Sequence, residues 1–194
     1  MGGRITPERV AALLRNQWQD WAGIRSITLL KGIEVDILED GSLDLPDPVL
    51  AQLDLVVGAV HSQFHLSRAR QTDRIVKAME NPYLNLLAHP SGRLLGSREP
   101  YDVDMLKIIR TARSQDCFLE LNAHPERLDL LDTQCQMAHE EGVLVAINSD
   151  AHSVRDFDNL VYGVGQARRG WLEKTDILNT RKLHALRALL KRRD

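Results

Sequence analysis

Several features that mark specialised classes of protein are scarce or missing in this sequence of 194 residues. Aromatic side chains make up only 5% of it, whereas proteins that stack single-stranded nucleic acid interleave aromatic residues with a basic groove. We therefore interpret Trp18, Trp21 and Trp171 as packing residues. No apolar run approaches the roughly 18 residues of a membrane span, and no signal-peptide core follows the first residues. A cytoplasmic protein without membrane partners is expected.

The chain also has little net charge, few cysteines and no phosphate-binding glycine loop. Its 25 basic and 27 acidic residues give a formal charge of -2, so any phosphate must be bound by a local cluster. Cys117 and Cys135 form no CxxC pair, which favours reduced structural thiols. Without a P-loop pattern, nucleoside triphosphate chemistry is not expected of this chain.

What is present is ordinary globular sequence, with 43% hydrophobic and 27% charged residues, in which helical and strand-like segments alternate. An amphipathic helix is predicted to begin near Thr6, where a capping residue precedes a proline. Further predicted helices cover residues 46–52, 72–80, 103–114, 133–141 and 180–192. Predicted strands cover residues 27–30 and 32–38 and the segments that end at His61, His89, Leu121 and Asp150. This alternation predicts one α/β domain with parallel strands.

Side chains that bind metals follow several of the strand-like runs. His61, His89 and Asp150 each come after an apolar run, and Glu34 lies inside one. In parallel α/β barrels the chemistry collects where the strands end. A single histidine after a strand is more often structural than a ligand, but the repetition favours a metal centre of zinc, manganese or iron. Asp150 and His152 are two apart, so in an extended segment they point to the same side.

At these residues the chain resembles a known family, the polymerase and histidinol phosphatase (PHP) domains. The resemblance is greatest to the copy at the C-terminal end of bacterial and archaeal family X DNA polymerases. It is carried by residues 31–37, 54–62, 89–96, 119–130, 148–153 and 162–171. The resemblance implies a distorted, TIM-like (β/α)7 barrel with up to three divalent metal ions. It also implies hydrolysis of phosphoesters, in the polymerase setting as a 3′-to-5′ exonuclease or a 3′-end phosphatase in DNA repair.

The resemblance also assigns roles to individual residues. Glu34 would be shared between two ions, with His61 and His89 completing the ligands of the second ion. Asp150 would bind the first ion and His152 the third. Glu34 and Asp150 are thereby the residues expected to take part in catalysis.

The front of the chain departs from the family pattern. The family opens with an H-x-H strand and continues with a D-H-S segment, but this chain has neither, and its first histidine is His61. We therefore expect residues 1–194 to form a single PHP domain that lacks its opening strands. Such a domain would hold one or two ions and would be weakly active or inactive. Its exposed strand edges predict a homodimer.

Three arginines in the loops after the predicted strands are expected to bind the substrate phosphate. They are Arg93, Arg98 and Arg127, and a planar guanidinium matches two phosphate oxygens. The alternative for each is a surface salt bridge with Glu99 or Glu126.

Two classes of function remain open from the sequence. The first is a metal-dependent phosphoesterase that acts on DNA ends or, with less weight, on a phosphorylated small molecule such as histidinol phosphate. The second is a noncatalytic remnant of a repair polymerase that has a structural or DNA-positioning role.

Overall fold

Five short strands form a parallel sheet at the centre of the computed structural model, which describes residues 28–191. Neighbours in the sheet are also neighbours in the sequence, so the order is β1-β2-β3-β4-β5. The strands are β1 (Gly32–Asp36), β2 (Leu55–Ala59), β3 (Leu86–Leu87), β4 (Phe118–Asn122) and β5 (Val145–Asn148). The predicted α/β class with parallel strands is confirmed, and the sheet is consistent with part of an α/β barrel. The seven-stranded PHP barrel stays a prediction.

Helices connect or follow the strands, and most of them pack on one face of the sheet, whereas the last one packs on the other face through Leu186. They are α1 (Asp47–Leu50), α2 (Arg68–Met79), α3 (Met105–Ser114), α4 (Asp132–Glu140), α5 (Leu160–Arg169) and α6 (Leu183–Leu189). Short 3-10 helices cover Val154–Asn159, Lys174–Asp176 and Leu178–Thr180. Among residues 28–191, no helix combines the length and the hydropathy that a membrane span requires.

Alternation along the strands separates the core from the site. One face sends residues such as Val35, Leu119 and Ile147 into the main core. The opposite face carries a second cluster built on residues such as Leu86 and Phe118. Residues two apart in a strand point the same way, so Glu120 shares the face of Phe118. Polar side chains on this second face therefore lie close together near the C-terminal ends of the strands.

Several predicted boundaries were inaccurate. Helix α2 begins before the predicted residue 72, because Ser67 caps it and accepts a hydrogen bond from the backbone N–H of Arg70 (3.5 Å). Residues 28–30 form no strand, and α5 was not predicted. The predicted opening helix lies outside the described residues, as do Trp18 and Trp21.

Two side-chain predictions have opposite outcomes. Cys117 and Cys135 are buried free thiols, as predicted, and burial raises the pKa of Cys135 to about 12. The interpretation of Trp171 as a packing residue is wrong, because this residue is 74% exposed. It follows α5 at a position with a left-handed backbone (φ 62°), which turns it away from the core.

Candidate metal centre

One carboxylate and two imidazoles meet at the C-terminal end of the sheet. Glu34 lies in β1, and His61 and His89 each lie two residues beyond the ends of β2 and β3. One ligand atom from each residue lies within 4.8 Å of the ligand atoms of the other two. Parallel strands end at a common edge, and this brings together residues that are 27 and 28 positions apart in the chain.

The distances within this group suit a shared ion. The Oε1 atom of Glu34 lies 3.2 Å from Nε2 of His61 and 3.2 Å from Nε2 of His89. Two ligands of a tetrahedral ion, each bound at about 2.0–2.2 Å, are roughly 3.4 Å apart. Two imidazole nitrogens and one carboxylate oxygen also form a known catalytic zinc ligand set, which leaves a further position for water or substrate. The residues present therefore fit a divalent metal ion.

A neighbouring carboxylate orients His61. The Oδ1 atom of Asp36 lies 2.5 Å from Nδ1 of His61, on the side of the ring away from Glu34. Carboxylates in this position fix the tautomer of a metal-binding histidine and strengthen it as a ligand. Asp36 was not among the predicted site residues, although it lies two positions after Glu34 and therefore on the same side of β1.

The three residues differ in exposure and in charge. The side chain of His89 is 3% exposed, whereas those of His61 and Glu34 are 41% and 43% exposed. The site is therefore closed at His89 and open to solvent at the other two. Hydrogen bonds from His61 and then from His89 hold the pKa of Glu34 well below its usual range. The bond to Glu34 is the main reason that the pKa of His61 is raised, with Asp36 adding to the effect.

These pKa shifts predict opposite effects of pH on the metal-free fold and on metal binding. Because the pKa of His61 is raised, its ion pair stabilises the fold fully below the ordinary histidine value of 6.5 and is lost as the pH rises through the raised value. Because the pKa of Glu34 is lowered, its ion pairs stabilise the fold fully above the ordinary carboxyl value of 4.5, and this stabilisation is lost as the pH falls through the lowered value. Metal must displace the proton of His61, so metal affinity should rise with pH.

Calorimetric titration with Zn²⁺ and thermal melting of the metal-free chain, between about pH 5 and pH 8, measure the two effects. We expect tighter metal binding and a lower melting temperature as the pH rises through the titration of His61. Metal affinity that is independent of pH over this range would contradict the assignment of His61 as a ligand.

The structure does not place Asp150 and His152 in the group of three. The Oδ2 atom of Asp150 accepts a hydrogen bond from Nδ2 of Asn122 (3.0 Å) and pairs with Nε of Arg127 (3.3 Å). His152 is exposed, and its Nδ1 atom lies 2.9 Å from the carbonyl oxygen of Asp150. The assignment of these two residues as ligands of the first and third ions stays a prediction.

The three predicted phosphate-binding arginines lie in adjoining loops. The Nε atom of Arg93 donates to the carbonyl oxygen of Arg127 (2.7 Å), and that of Arg98 donates to the carbonyl of Gly92 (2.8 Å). The guanidinium of Arg98 also lies 4.0 Å from the centre of the Phe64 ring. In the described part of the chain, none of the three forms the salt bridge with Glu99 or Glu126 that was the alternative. Phosphate binding by these arginines stays a prediction.

Two buried acids behind the site were not predicted. Glu120 accepts hydrogen bonds from the backbone N–H of His89 (2.8 Å) and from Nδ2 of Asn148 (2.9 Å). Asp129 accepts from the backbone N–H and the hydroxyl of Ser91 (2.9 and 2.8 Å). Burial raises the pKa of both acids. An acid inside an apolar run needs polar partners, and Glu120 between two leucines was the signal in the sequence.

Comparison with known proteins places this chain in a family. No protein-family model matches the chain. It is 42% identical to the DNA polymerase/3'-5' exonuclease PolX of Bacillus subtilis over 173 residues, which are 89% of this chain and 30% of that protein. It is 30% identical to a probable phosphatase of Thermoanaerobacter sp. over 170 residues, which cover 81% of this chain and 66% of the phosphatase. A probable phosphatase of Caldanaerobacter subterraneus is 31% identical over 139 residues, 66% of this chain and 52% of that protein. The chain thus spans 30% of the polymerase and just under two thirds of the first phosphatase. These similarities show that the chain belongs to the PHP-type domains related to family X DNA polymerase.

Proposed function

We propose that this chain is a metal-dependent phosphoesterase that acts on the 3′ ends of DNA, as an exonuclease or an end phosphatase, together with a family X polymerase in DNA repair. The observation that carries the proposal is the meeting of Glu34, His61 and His89 within 4.8 Å. The name of the Bacillus subtilis relative supports a DNA substrate, and the names of the probable phosphatases support phosphoester hydrolysis.

The three residues of this group would hold the ion through one carboxylate oxygen and two Nε2 atoms. A divalent ion bound there supplies Lewis-acid chemistry, which lowers the pKa of a water molecule and withdraws charge from a phosphoryl oxygen. Asp36 holds Nδ1 of His61 and thereby leaves Nε2 as the ligand atom. The nitrogen and oxygen ligands suit zinc, manganese and iron alike. Because the group offers three ligands, we propose that it binds one ion; binding of a second ion would need Asp150 as a further ligand.

Arg127 is the proposed phosphate ligand with the strongest structural support. Its Nε atom pairs with Asp150 at 3.3 Å, and its buried Nη1 atom has no hydrogen-bond partner in the described part of the chain. Buried guanidinium N–H groups are strong donors to phosphate oxygens. Arg93 and Arg98 would assist from the adjoining loop, where their Nε atoms hold the backbone.

Two alternatives have an observation in their favour. A phosphatase for small molecules is supported by the similarity to probable phosphatases over 81% of the chain. A noncatalytic, DNA-positioning role is supported by Asp150, since its carboxylate is paired with Arg127 rather than placed beside Glu34. Low activity is therefore expected of this chain even if the DNA-end proposal holds.

Hydrolysis assays with Mn²⁺ separate these functions. The substrates are 5′-labelled oligonucleotides ending in a 3′-hydroxyl or a 3′-phosphate, and histidinol phosphate. We expect slow shortening or dephosphorylation of the oligonucleotides, which stops with a chelator. Release of phosphate from histidinol phosphate alone would favour the small-molecule alternative. A bound ion with no hydrolysis of any substrate would favour the noncatalytic one.

A homodimer and a single domain over residues 1–194 are further proposals. Within residues 28–191, β1 pairs only with β2, and an unpaired strand edge favours association. Light scattering after size-exclusion chromatography measures the mass in solution, and a mass of two chains would support the homodimer. One cooperative unfolding transition would support a single domain.

A further inference from the structure

Glu120 is a buried acid in the middle of β4 that takes no part in the group of three. All five residues of β4 are buried, and Glu120 is 6% exposed. A carboxylate in such a place is retained only when its oxygens are hydrogen-bonded. Its partners therefore indicate what it does for the fold or for the site.

Both oxygens of Glu120 join neighbouring strand ends at the site. The Oε2 atom accepts the backbone N–H of His89 at 2.8 Å, and the Oε1 atom accepts Nδ2 of Asn148 at 2.9 Å. His89 follows β3 and Asn148 ends β5. One side chain on the central strand of these three thereby fixes the segments on both sides of it.

The bond to His89 holds an unusual backbone. His89 has a φ of 27°, in the left-handed region that residues with a Cβ rarely adopt. Such a conformation persists only where the surroundings determine it. In this conformation the buried imidazole directs Nε2 towards Glu34, 3.2 Å from its Oε1 atom. The direction of the imidazole thus depends on a backbone that Glu120 anchors.

We propose that Glu120 is a positioning residue for the metal centre: it fixes the backbone at His89 so that Nε2 faces Glu34, without binding the ion itself. This inference rests on the proposed metal site. Groups that orient a metal ligand typically change metal affinity by about 10- to 100-fold when they are removed. The same order of loss is expected when Glu120 is truncated.

The experiment compares Glu120→Ala and Glu120→Gln with the control Asn85→Ala. Asn85 is also buried and also joins two segments, because it accepts the backbone N–H of Val56 (2.9 Å) and donates to the carbonyl of Leu190 (3.1 Å). It precedes β3, at the opposite end of the strand from His89. Losing Asn85 should therefore lower stability but leave the metal centre intact.

Zn²⁺ affinity is measured by competition with a chromophoric chelator, and the melting temperature is measured without metal. We expect Glu120→Ala to bind Zn²⁺ about 10- to 100-fold more weakly. Glu120→Gln keeps one acceptor oxygen and should lose less. Asn85→Ala should melt earlier but bind within about twofold of the original chain. Equal affinity in Glu120→Ala and the original chain would overturn the inference, as would losses of affinity that simply follow the melting temperature in all variants.

A measurement without metal keeps this test separate from the proposed function. In ¹H–¹⁵N spectra of the metal-free chain, the His89 amide should be protected from exchange and should lose that protection in Glu120→Ala more than in Asn85→Ala. An unprotected His89 amide in the original chain would overturn the inference. If the original chain binds no Zn²⁺, the proposed function fails, and the amide measurement still decides the role of Glu120 towards His89.

Discussion

Replacing Glu34 by glutamine is expected to lower the affinity for Zn²⁺ or Mn²⁺ by at least about 100-fold, since even the loss of an outer orienting group costs roughly 10- to 100-fold. The carboxylate is the only negative ligand in the group, and it lies 3.2 Å from the Nε2 atoms of both His61 and His89. An amide of the same size keeps the shape but removes the charge. Isothermal titration of the metal-free chain measures the change, and any phosphoesterase activity should be lost with it.

A nearby carboxylate provides the matched control. Glu39 lies five positions after Glu34, and it pairs with Arg70 at the surface (2.5 Å). Glu39→Gln makes the same chemical change outside the site, so metal affinity should stay within about twofold, since exposed ion pairs contribute little. Equal loss of affinity in both variants would mean that general negative charge, and not the geometry at Glu34, binds the metal.

Replacing Gly92 by alanine should destabilise the fold by about 2–5 kcal/mol, the sum of a left-handed backbone and an overpacked contact. Gly92 has a φ of 63°, and an added Cβ would lie 2.2 Å from the Cε1 atom of Tyr101. The ring of Tyr101 is buried and has little room to move. The backbone N–H of Gly92 donates to the carbonyl of His89 (2.8 Å), so metal affinity should fall as well. Urea denaturation and metal titration measure the two effects.

Gly96 in the same loop separates the backbone effect from the contact. Its φ is 78°, but an added Cβ would meet no atom within 4 Å. Gly96→Ala should therefore cost only about 1–2 kcal/mol and leave metal binding unchanged. If Gly92→Ala is no worse than Gly96→Ala, the close contact between Gly92 and Tyr101 is not a feature of the protein in solution.

The sequence pattern predicted a parallel α/β sheet with Glu34, His61, His89 and Asp150 towards one end of it, and the resemblance to PHP domains singled out Glu34, His61 and His89 as ligands of one ion. An apolar run that ends in histidine can be recognised from neighbouring residues alone. Because parallel strands end at the same edge of a sheet, side chains that follow different strands are expected to lie close together. That rule places His61 beside His89, and it places Glu34 beside both. The same rule would include Asp150, which pairs with Arg127 instead, so strand order alone does not define the group.

The buried supports of the site could not be predicted in the same way. Glu120 bonds to residues 31 positions before it and 28 positions after it, and no local pattern specifies such partners. Arg127 was predicted to bind phosphate, but its bond to Asp150 depends on two loops whose course the sequence does not fix. The course of loops depends on tertiary contacts more than on local propensity.

Helix α5 shows why a helix was overlooked. Its buried residues are the small Gly163 and Ala167, whereas Val161 and Tyr162 are 67% and 51% exposed. An added Cβ on Gly163 would lie 2.6 Å from Ile147, so the helix packs closely because it has no side chain there. Periodicity searches look for large apolar residues on the buried face, and this helix lacks them.

The central claim is that Glu34, His61 and His89 bind one divalent ion, and anomalous diffraction from crystals grown with Zn²⁺ tests it most directly. We predict an anomalous peak at the zinc absorption edge that lies about 2.0–2.2 Å from the Nε2 atoms of both histidines and from a carboxylate oxygen of Glu34. Ordered side chains of these three residues with no peak between them, at zinc concentrations that saturate the titration, would contradict the claim.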